Sequence, residues 1–259
     1  SFGNYDLALA LADIVDNSIT AGASEINIEA SFERNEIRIS DNGSGMNEET
    51  LVAAMRLGSK NPREQREPND LGRFGLGLKT ASFSQADKLT VLTNFEGKFC
   101  GAQWDLNNCA DFRMAFFNEE ETLALADTEI KTSSGTEVIW ADLSRMKKGS
   151  AELDLEDDFN NAVWLAVDEL GMIFHRFLDE REPKSQKIQI NVNGRRIEAK
   201  DPFCRSNQGT QSLKTISETI NGETIKFSPF VLPYYSNLSA PEREQLGGKE
   251  GFVKNSGFY

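Results

Sequence analysis

Cysteine, histidine and long apolar runs are what this sequence has least of. Its 259 residues include three cysteines and one histidine. Cys100, Cys109 and Cys204 are odd in number and lack CxxC spacing, so neither a disulfide framework nor a zinc site is expected, and packed, reduced thiols are the reading. No run of eighteen apolar residues exists, no basic-then-apolar leader opens the chain and no stretch is compositionally simple. These absences speak against membrane insertion and export and predict a cytoplasmic protein. Positive charge is short too: 28 Lys and Arg against 41 Asp and Glu leave a net charge of -13. That balance argues against a chain that grips nucleic acid by itself, because phosphate binding rests on clustered Lys and Arg. What remains, 39% hydrophobic and 27% charged residues, is ordinary for a globular protein of one or two domains. The closing stretch GFVKNSGFY reads as a strand about to continue, and the chain is expected to be a piece of something longer.

Apolar residues recur at helical spacing from Tyr5 to about Thr20, and Gly22 supplies a stop. Two alternating segments, 25–30 and 36–40, predict a hairpin whose second strand runs into DNGSGM. Asn47 caps a short helix expected through Leu57, with Glu48 and Glu49 suited to its dipole. Residues 58–74 hold two prolines and many charges and predict a long lid-like loop. A small-residue helix then starts at GLGLKTASFSQ, followed by the strand-like segments KLTVLTN, KFCGAQW, DFRMAFF and TEVIWA. The predicted class is an α+β sandwich. The apolar pattern lapses near 147–152, where a domain boundary is expected. Beyond it come an amphipathic helix bearing Phe159, Trp164 and Leu170, a hairpin turning at Asn193–Gly194, and a strand in TIKFSPFVL.

Four features carry candidate chemistry. Asp13 and Asn17 are four apart on the first helix, so both can address one ligand, the carboxylate orienting or deprotonating a water and the amide oxygen completing a Mg²⁺ shell. In DNGSGM, Asp41 ends a strand where it can accept the exocyclic amine of adenine, and Gly43 and Gly45 permit close backbone approach. In LGRFGLGLKTAS, Gly72, Gly75 and Gly77 precede a helix whose free N–H groups make an anion site. Lys79 can add a point charge to phosphates there, and Lys60 can close on them from the lid. In SSGTEVIW, Thr136 opens a strand where its hydroxyl can join Asp41. Taken singly, each feature equally describes a solvated helix face, a tight turn or a strand start. A Walker loop is excluded, because Leu78 stands between Gly77 and Lys79, and the glycine spacing is wrong for a dinucleotide fingerprint.

Together, in this order, the four segments resemble the GHKL superfamily: DNA gyrase, MutL, heat-shock-90 chaperones, sensor histidine kinases and MORC ATPases. ALADIVDNSITAGA is similar to its N-box, DNGSGM and LGRFGLGLKTAS to its two glycine boxes, and SSGTEVIW to a later GT segment. The strings ADIVDNSI, GSK and GRFGLGLKTAS look closest to MORC-like and MutL-like bacterial ATPases. The resemblance implies a Bergerat-type ATP-binding sandwich over residues 1–146 and a smaller transducer-type α+β domain over 147–259. It implies ATP and Mg²⁺ as ligands, Asn17 as the Mg²⁺ ligand, Asp13 as the general base, and Asp41 and Thr136 at the adenine. It also implies nucleotide contacts from Gly43, Gly45, Met46, Lys60, Lys79 and the segment Gly72, Arg73, Phe74, Gly75, Leu76, Gly77, Leu78. The expected behaviour is a nucleotide-dependent homodimer that binds ATP and ADP, with DNA reached through other domains or partners and no membrane. The superfamily's base is normally Glu, and Asp13 is shorter by one C–C bond, about 1.5 Å, which implies slow turnover. Asp16 points about 100° away from Asn17 and is the weaker candidate base.

Three other readings accompany this one. A histidine kinase domain would hand phosphate to a histidine, but the sole histidine, His175, lies in the apolar helix segment GMIFHRFL and reads as core. A non-hydrolysing nucleotide switch is motivated by Asp13, and a chaperone ATPase would need further domains.

Overall fold

The computed structural model describes residues 6–56, 77–108, 114–126, 130–131, 133–143, 155–181, 186–254 and 257. The chain divides into two compact units, Ser1–Glu198 and Ala199–Tyr259.

In the first unit, helix α1 (Leu7–Thr20) starts where the Asp6 carboxylate accepts the Leu9 N–H at 2.8 Å. It buries Leu7, Leu11, Ile14, Val15 and Ser18, the stripe that periodicity predicts. Strands β1 (Glu25–Ser31) and β2 (Glu36–Asp41) pair antiparallel as the predicted hairpin. Helix α2 (Glu48–Met55) is capped by the Asn47 side chain on Thr50 N–H. It ends two residues short of the expected Leu57, and the carbonyls at its end are taken by the Trp104 indole on Met55 and the Lys79 ammonium on Ala54 and Arg56. Helix α3 (Gly77–Gln85), β3 (Lys88–Phe95), β4 (Lys98–Asp105), β5 (Ala115–Phe117), α4 (Glu119–Leu125) and β6 (Gly135–Ala141) follow. α4 is absent from the sequence reading. It has little apolar stripe, and a capping box between Asn118 and Glu121 starts it. Helices α5 (Leu155–Ile173) and α6 (His175–Leu178) and strands β7 (Gln189–Val192) and β8 (Arg195–Arg196) complete the unit.

The eight strands run in the order β5-β4-β3-β6-β2-β1-β7-β8. Neighbours are antiparallel except β1 and β7, which are parallel. One face carries Ile28, Ile37 and Val192 against Leu7 and Leu11 of α1 and Ala166 and Leu170 of α5. α3 covers the same face further along, where the Trp140 indole donates to Ser82 Oγ at 2.7 Å. The opposite face gathers Leu92, Ala126, Ile130 and Ile139, and beside them Arg38 meets the buried Glu137 at 2.7 Å. The break in apolar pattern near 147 thus differs from the division by compactness: α5 packs on α1, and β7 extends the main sheet. The pairing of β7 with β1 is a contact across more than 160 residues of sequence, which no local pattern announces. The Asn193–Gly194 turn forms as predicted, with both residues at positive φ, and the Asn193 side chain accepts the Ala30 N–H at 2.8 Å.

The second unit holds two small antiparallel pairs: β9 (Gln211–Ser212) with β12 (Phe230–Val231), and β10 (Ile216–Ile220) with β11 (Glu223–Phe227). Asn221 and Gly222, at φ 52° and 88°, turn the second pair. Helices α7 (Ala240–Gln245) and α8 (Gly248–Lys254) end it. Cys204, Leu238 and Leu246 form its core with Leu232, Tyr235 and Phe252. Residues 251–254, read as the start of a strand, are helix, because they continue the α8 turn that begins at Gly248.

Candidate functional site

Three neighbouring strands end in one row. Asp41 of β2 pairs with Thr136 of β6, and Thr136 pairs with Thr93 of β3. By strand alternation these side chains share the helix-covered face with Ile39, Val138 and Val91. The Asp41 carboxylate is held from three sides. Oδ1 accepts the Gly43 N–H at 2.9 Å, Oδ2 accepts the Ser18 hydroxyl of α1 at 2.8 Å, and a backbone hydrogen bond from Thr136 adds to these. Burial pushes its pKa up, and the three hydrogen bonds work in the opposite direction.

The loops on either side leave no room for larger residues. At Gly45, φ +70°, a Cβ would lie 2.1 Å from the Asn94 carbonyl oxygen. At Gly135 it would lie 2.0 Å from the Asp41 carbonyl oxygen. Met46 N–H donates to Thr93 Oγ1 at 2.7 Å, and Thr93 Oγ1 donates to the Gly135 carbonyl at 3.1 Å. Asn94 secures the approach to β6 through Nδ2, on the carbonyls of Ile130 and Ser133. Asn42 accepts the N–H groups of Ser24 and Glu25, pinning the exit of β2 to the start of β1.

The second part of the site lies on α1. Asn17 is exposed, and Asp13 and Asp16 are partly exposed. A Cβ on Gly77, the first residue of α3, would stand 3.8 Å from Asp13 Oδ2, so the Asp13 carboxylate lies beside that helix start. Beside it on α1, burial first, and the charge of Asp13 second, raise the pKa of Asp16 to about 6.

The structure therefore brings together Asp41, Gly43, Thr136 and, through Thr93, Gly45 and Met46. It places Asp13 and Asn17 on the adjoining helix, with Gly77 and Leu78 at the start of α3. Lys79 stands apart. Its buried ammonium donates to Ala54 and Arg56 carbonyls at 2.8 and 2.7 Å, so here it closes the end of α2, where the sequence expected it on phosphate. Lys60, Gly72, Arg73, Phe74, Gly75 and Leu76, and with them the lid, lie outside the described residues. Ser18 and Thr93 were not singled out from the sequence. Ser18 counted there as part of the apolar stripe, and only strand register puts Thr93 in the row.

Among the described residues no group of three or more His, Cys, Asp or Glu is arranged to hold a metal. A divalent cation here would take the exposed Asn17 amide oxygen and complete its shell from phosphate and water, as Mg²⁺ does. The donor set fits that mode and no self-sufficient metal site. Among the described residues no helix is long and apolar enough to cross a membrane.

Residues 5–136 match the family described as histidine kinase-, DNA gyrase B-, and HSP90-like ATPase. Among curated proteins, the chain is 34% identical over 100 residues to the chaperone protein HtpG of Halalkalibacterium halodurans, covering 35% of this chain and 16% of that one. It is 26% identical over 189 residues to HtpG of Bacillus licheniformis, covering 69% of this chain and 26% of that one. It thus spans about a quarter or less of the length of these relatives. A solved structure, the ATPase and transducer domains of DNA topoisomerase II from Balamuthia mandrillaris, superposes at a TM-score of 0.48 with 15% identity, over 74% of this chain and 48% of that one.

Proposed function

Since the chain belongs to the histidine kinase-, DNA gyrase B- and HSP90-like ATPases, by a match over just more than half its length, we propose that it binds ATP with Mg²⁺ and hydrolyses it to drive lid closure and dimerisation. The observation that carries this reading is the hydrogen-bonded Asp41 beside Thr136, with Asp13 and Asn17 on the adjoining helix. Asp41 accepts the exocyclic N–H of adenine and the Thr136 hydroxyl joins it. A guanine would present a carbonyl oxygen at the same place, acceptor against acceptor. Asn17 offers its amide oxygen toward the metal and phosphates, and the N-terminus of α3 faces their charge. Bound Mg²⁺ would neutralise phosphate charge. Asp13 orients a water and takes its proton as the water oxygen bonds the γ-phosphorus, while the bond from that phosphorus to the β,γ-bridging oxygen breaks and ADP leaves with the electron pair. The proton then passes to solvent. Lys60 and the segment 72–76 supply the lid.

The transducer-type role of the second half, residues 147–259, belongs to the same proposal. So do work in the cytoplasm and an action on DNA exerted through other domains or partners in the MORC or MutL manner, which rests on the strings ADIVDNSI and GRFGLGLKTAS. A second reading, a switch that binds without turnover, is favoured by Asp13 standing where the superfamily has Glu. ATP titration with and without Mg²⁺, phosphate release, and size exclusion with a non-hydrolysable analogue separate these. Turnover with analogue-induced dimerisation supports the ATP-gated clamp. Binding and dimerisation without turnover supports the switch, and absence of binding sinks both.

A further inference from the structure

Resting on the nucleotide reading above, we propose that Thr93 is the positioning residue that holds the width of the base slot and thereby its preference for adenine over guanine. Thr93 is fully buried, at 0% exposure. Its one hydroxyl serves two loops, accepting from Met46 N–H at 2.7 Å and donating to the Gly135 carbonyl at 3.1 Å. Met46 follows Gly45 on the loop after Asp41, and Gly135 immediately precedes Thr136. The next residue on β3 repeats the arrangement: the Asn94 carbonyl backs onto Gly45 so closely that any Cβ there would collide with its oxygen, and the Asn94 side chain holds the Ile130 and Ser133 carbonyls. Both walls beside Asp41 are therefore referenced to the end of β3, and the hydroxyl is the group that ties one to the other.

Adenine and guanine differ at this acceptor in a way that depends on the slot being narrow. Adenine presents an amine to Asp41. Guanine presents a carbonyl oxygen there, and its N1–H and 2-amino donors reach a carboxylate only if the ring slides. A slot held to one width forbids that slide. Without the Thr93 hydroxyl, a partly buried N–H and a buried carbonyl each lose a partner, and the loops must move to recover one.

The test compares Thr93→Val, which keeps the shape and removes the hydroxyl, with Thr93→Ser, which keeps the hydroxyl. Thr90→Val is the control: Thr90 is also buried on β3, two-residue alternation puts it on the other face, and its hydroxyl accepts from Gln103 Nε2 at 2.7 Å. Two readouts are taken on the whole chain: hydrogen exchange of the Met46 amide without ligand, and the ratio of ATP to GTP dissociation constants. Thr93→Val is expected to speed Met46 exchange and to lower the ATP preference, each by about tenfold. Thr93→Ser keeps both, and Thr90→Val lowers stability while changing neither. Should the valine variant not fold, Thr93→Cys, with weaker bonds at similar size, carries the same expectation at smaller amplitude. Unchanged Met46 exchange overturns the latch. Faster exchange with an unchanged nucleotide ratio, or the same ratio change in Thr90→Val, overturns its role in selectivity. A parent protein that binds neither nucleotide removes the nucleotide reading and the selectivity role with it, whereas Met46 exchange still decides the latch.

Discussion

The two ends of the candidate site are built differently. At the end bearing Asp41, side chains and backbone are over-determined: three hydrogen bonds hold one carboxylate, and two glycines sit where no Cβ fits. At the end bearing Asp13 and Asn17, Asn17 stands exposed and Asp13 partly exposed on one face of α1. The contrast suits a site in which recognition is pre-organised and the chemistry is completed when ligand binds.

Breaking the rigid end should have the largest effect. Gly45→Ala puts a Cβ against the Asn94 carbonyl at a positive φ, and is expected to cost about 3 kcal/mol or more and abolish nucleotide binding. Thermal unfolding and ATP titration check both; a variant of parental stability that binds ATP would mean the rigidity is illusory. Next, Asp41→Asn replaces one hydrogen-bond acceptor with a donor facing the adenine amine, and should weaken ATP binding about 100-fold with little loss of fold. An isothermal titration within about threefold of the parent would remove Asp41 from the base slot.

At the other end the expected pattern inverts. Asp13→Asn should keep ATP affinity within about threefold and lower phosphate release about 100-fold or more. Equal turnover would disqualify Asp13 as the base. Asn17→Ala should remove the Mg²⁺ dependence of binding, seen as identical titrations with and without the metal, and retained dependence would contradict the assigned ligand.

The smallest effect concerns Asp16. Its folded pKa, about 6, lies above the ordinary value of 3.8. The folded state therefore binds the proton more tightly than the unfolded chain, and stability falls as pH rises from about 4 to about 6, then levels. Asp16→Asn, which carries no charge to bury, should be the more stable protein by about 1–2 kcal/mol at pH 7.5, an amount reduced for partial solvent exposure. The gain should vanish near pH 4. Urea midpoints at the two pH values measure it, and an equal gain at both would deny that the Asp16 charge is its source.

Much of the candidate site's arrangement was legible from the chain. Asp41, Gly43, Gly45 and Thr136 lie in turn and strand-start sequences whose local chemistry announces them, and helical spacing sets Asp13 and Asn17 on one face. The contact of Lys79 with α2 was not legible, because adjacency to a glycine-rich helix start says nothing of where a long side chain ends. It ends on the open carbonyls of α2. Thr93 was missed because its role comes from strand register, and Ser18 because a small residue in an apolar stripe looks like packing. α4 and the first strand and turn of the Asn221–Gly222 hairpin went unread, although a strand was expected in TIKFSPFVL: α4 lacks an apolar stripe, and Ile216–Ile220 is exposed along its whole length.

By itself the sequence determined most elements of the first unit, the Asn47 cap and the Asn193–Gly194 turn, the α+β class and the family, because these depend on contacts within a few residues or on short strings in fixed order. Only the tertiary structure decided that β7 joins β1, that Asp41, Thr136 and Thr93 stand in one row, and that the Lys79 ammonium closes α2. Those depend on which distant strands share hydrogen bonds and which buried polar groups must find partners, and no local spacing encodes that choice.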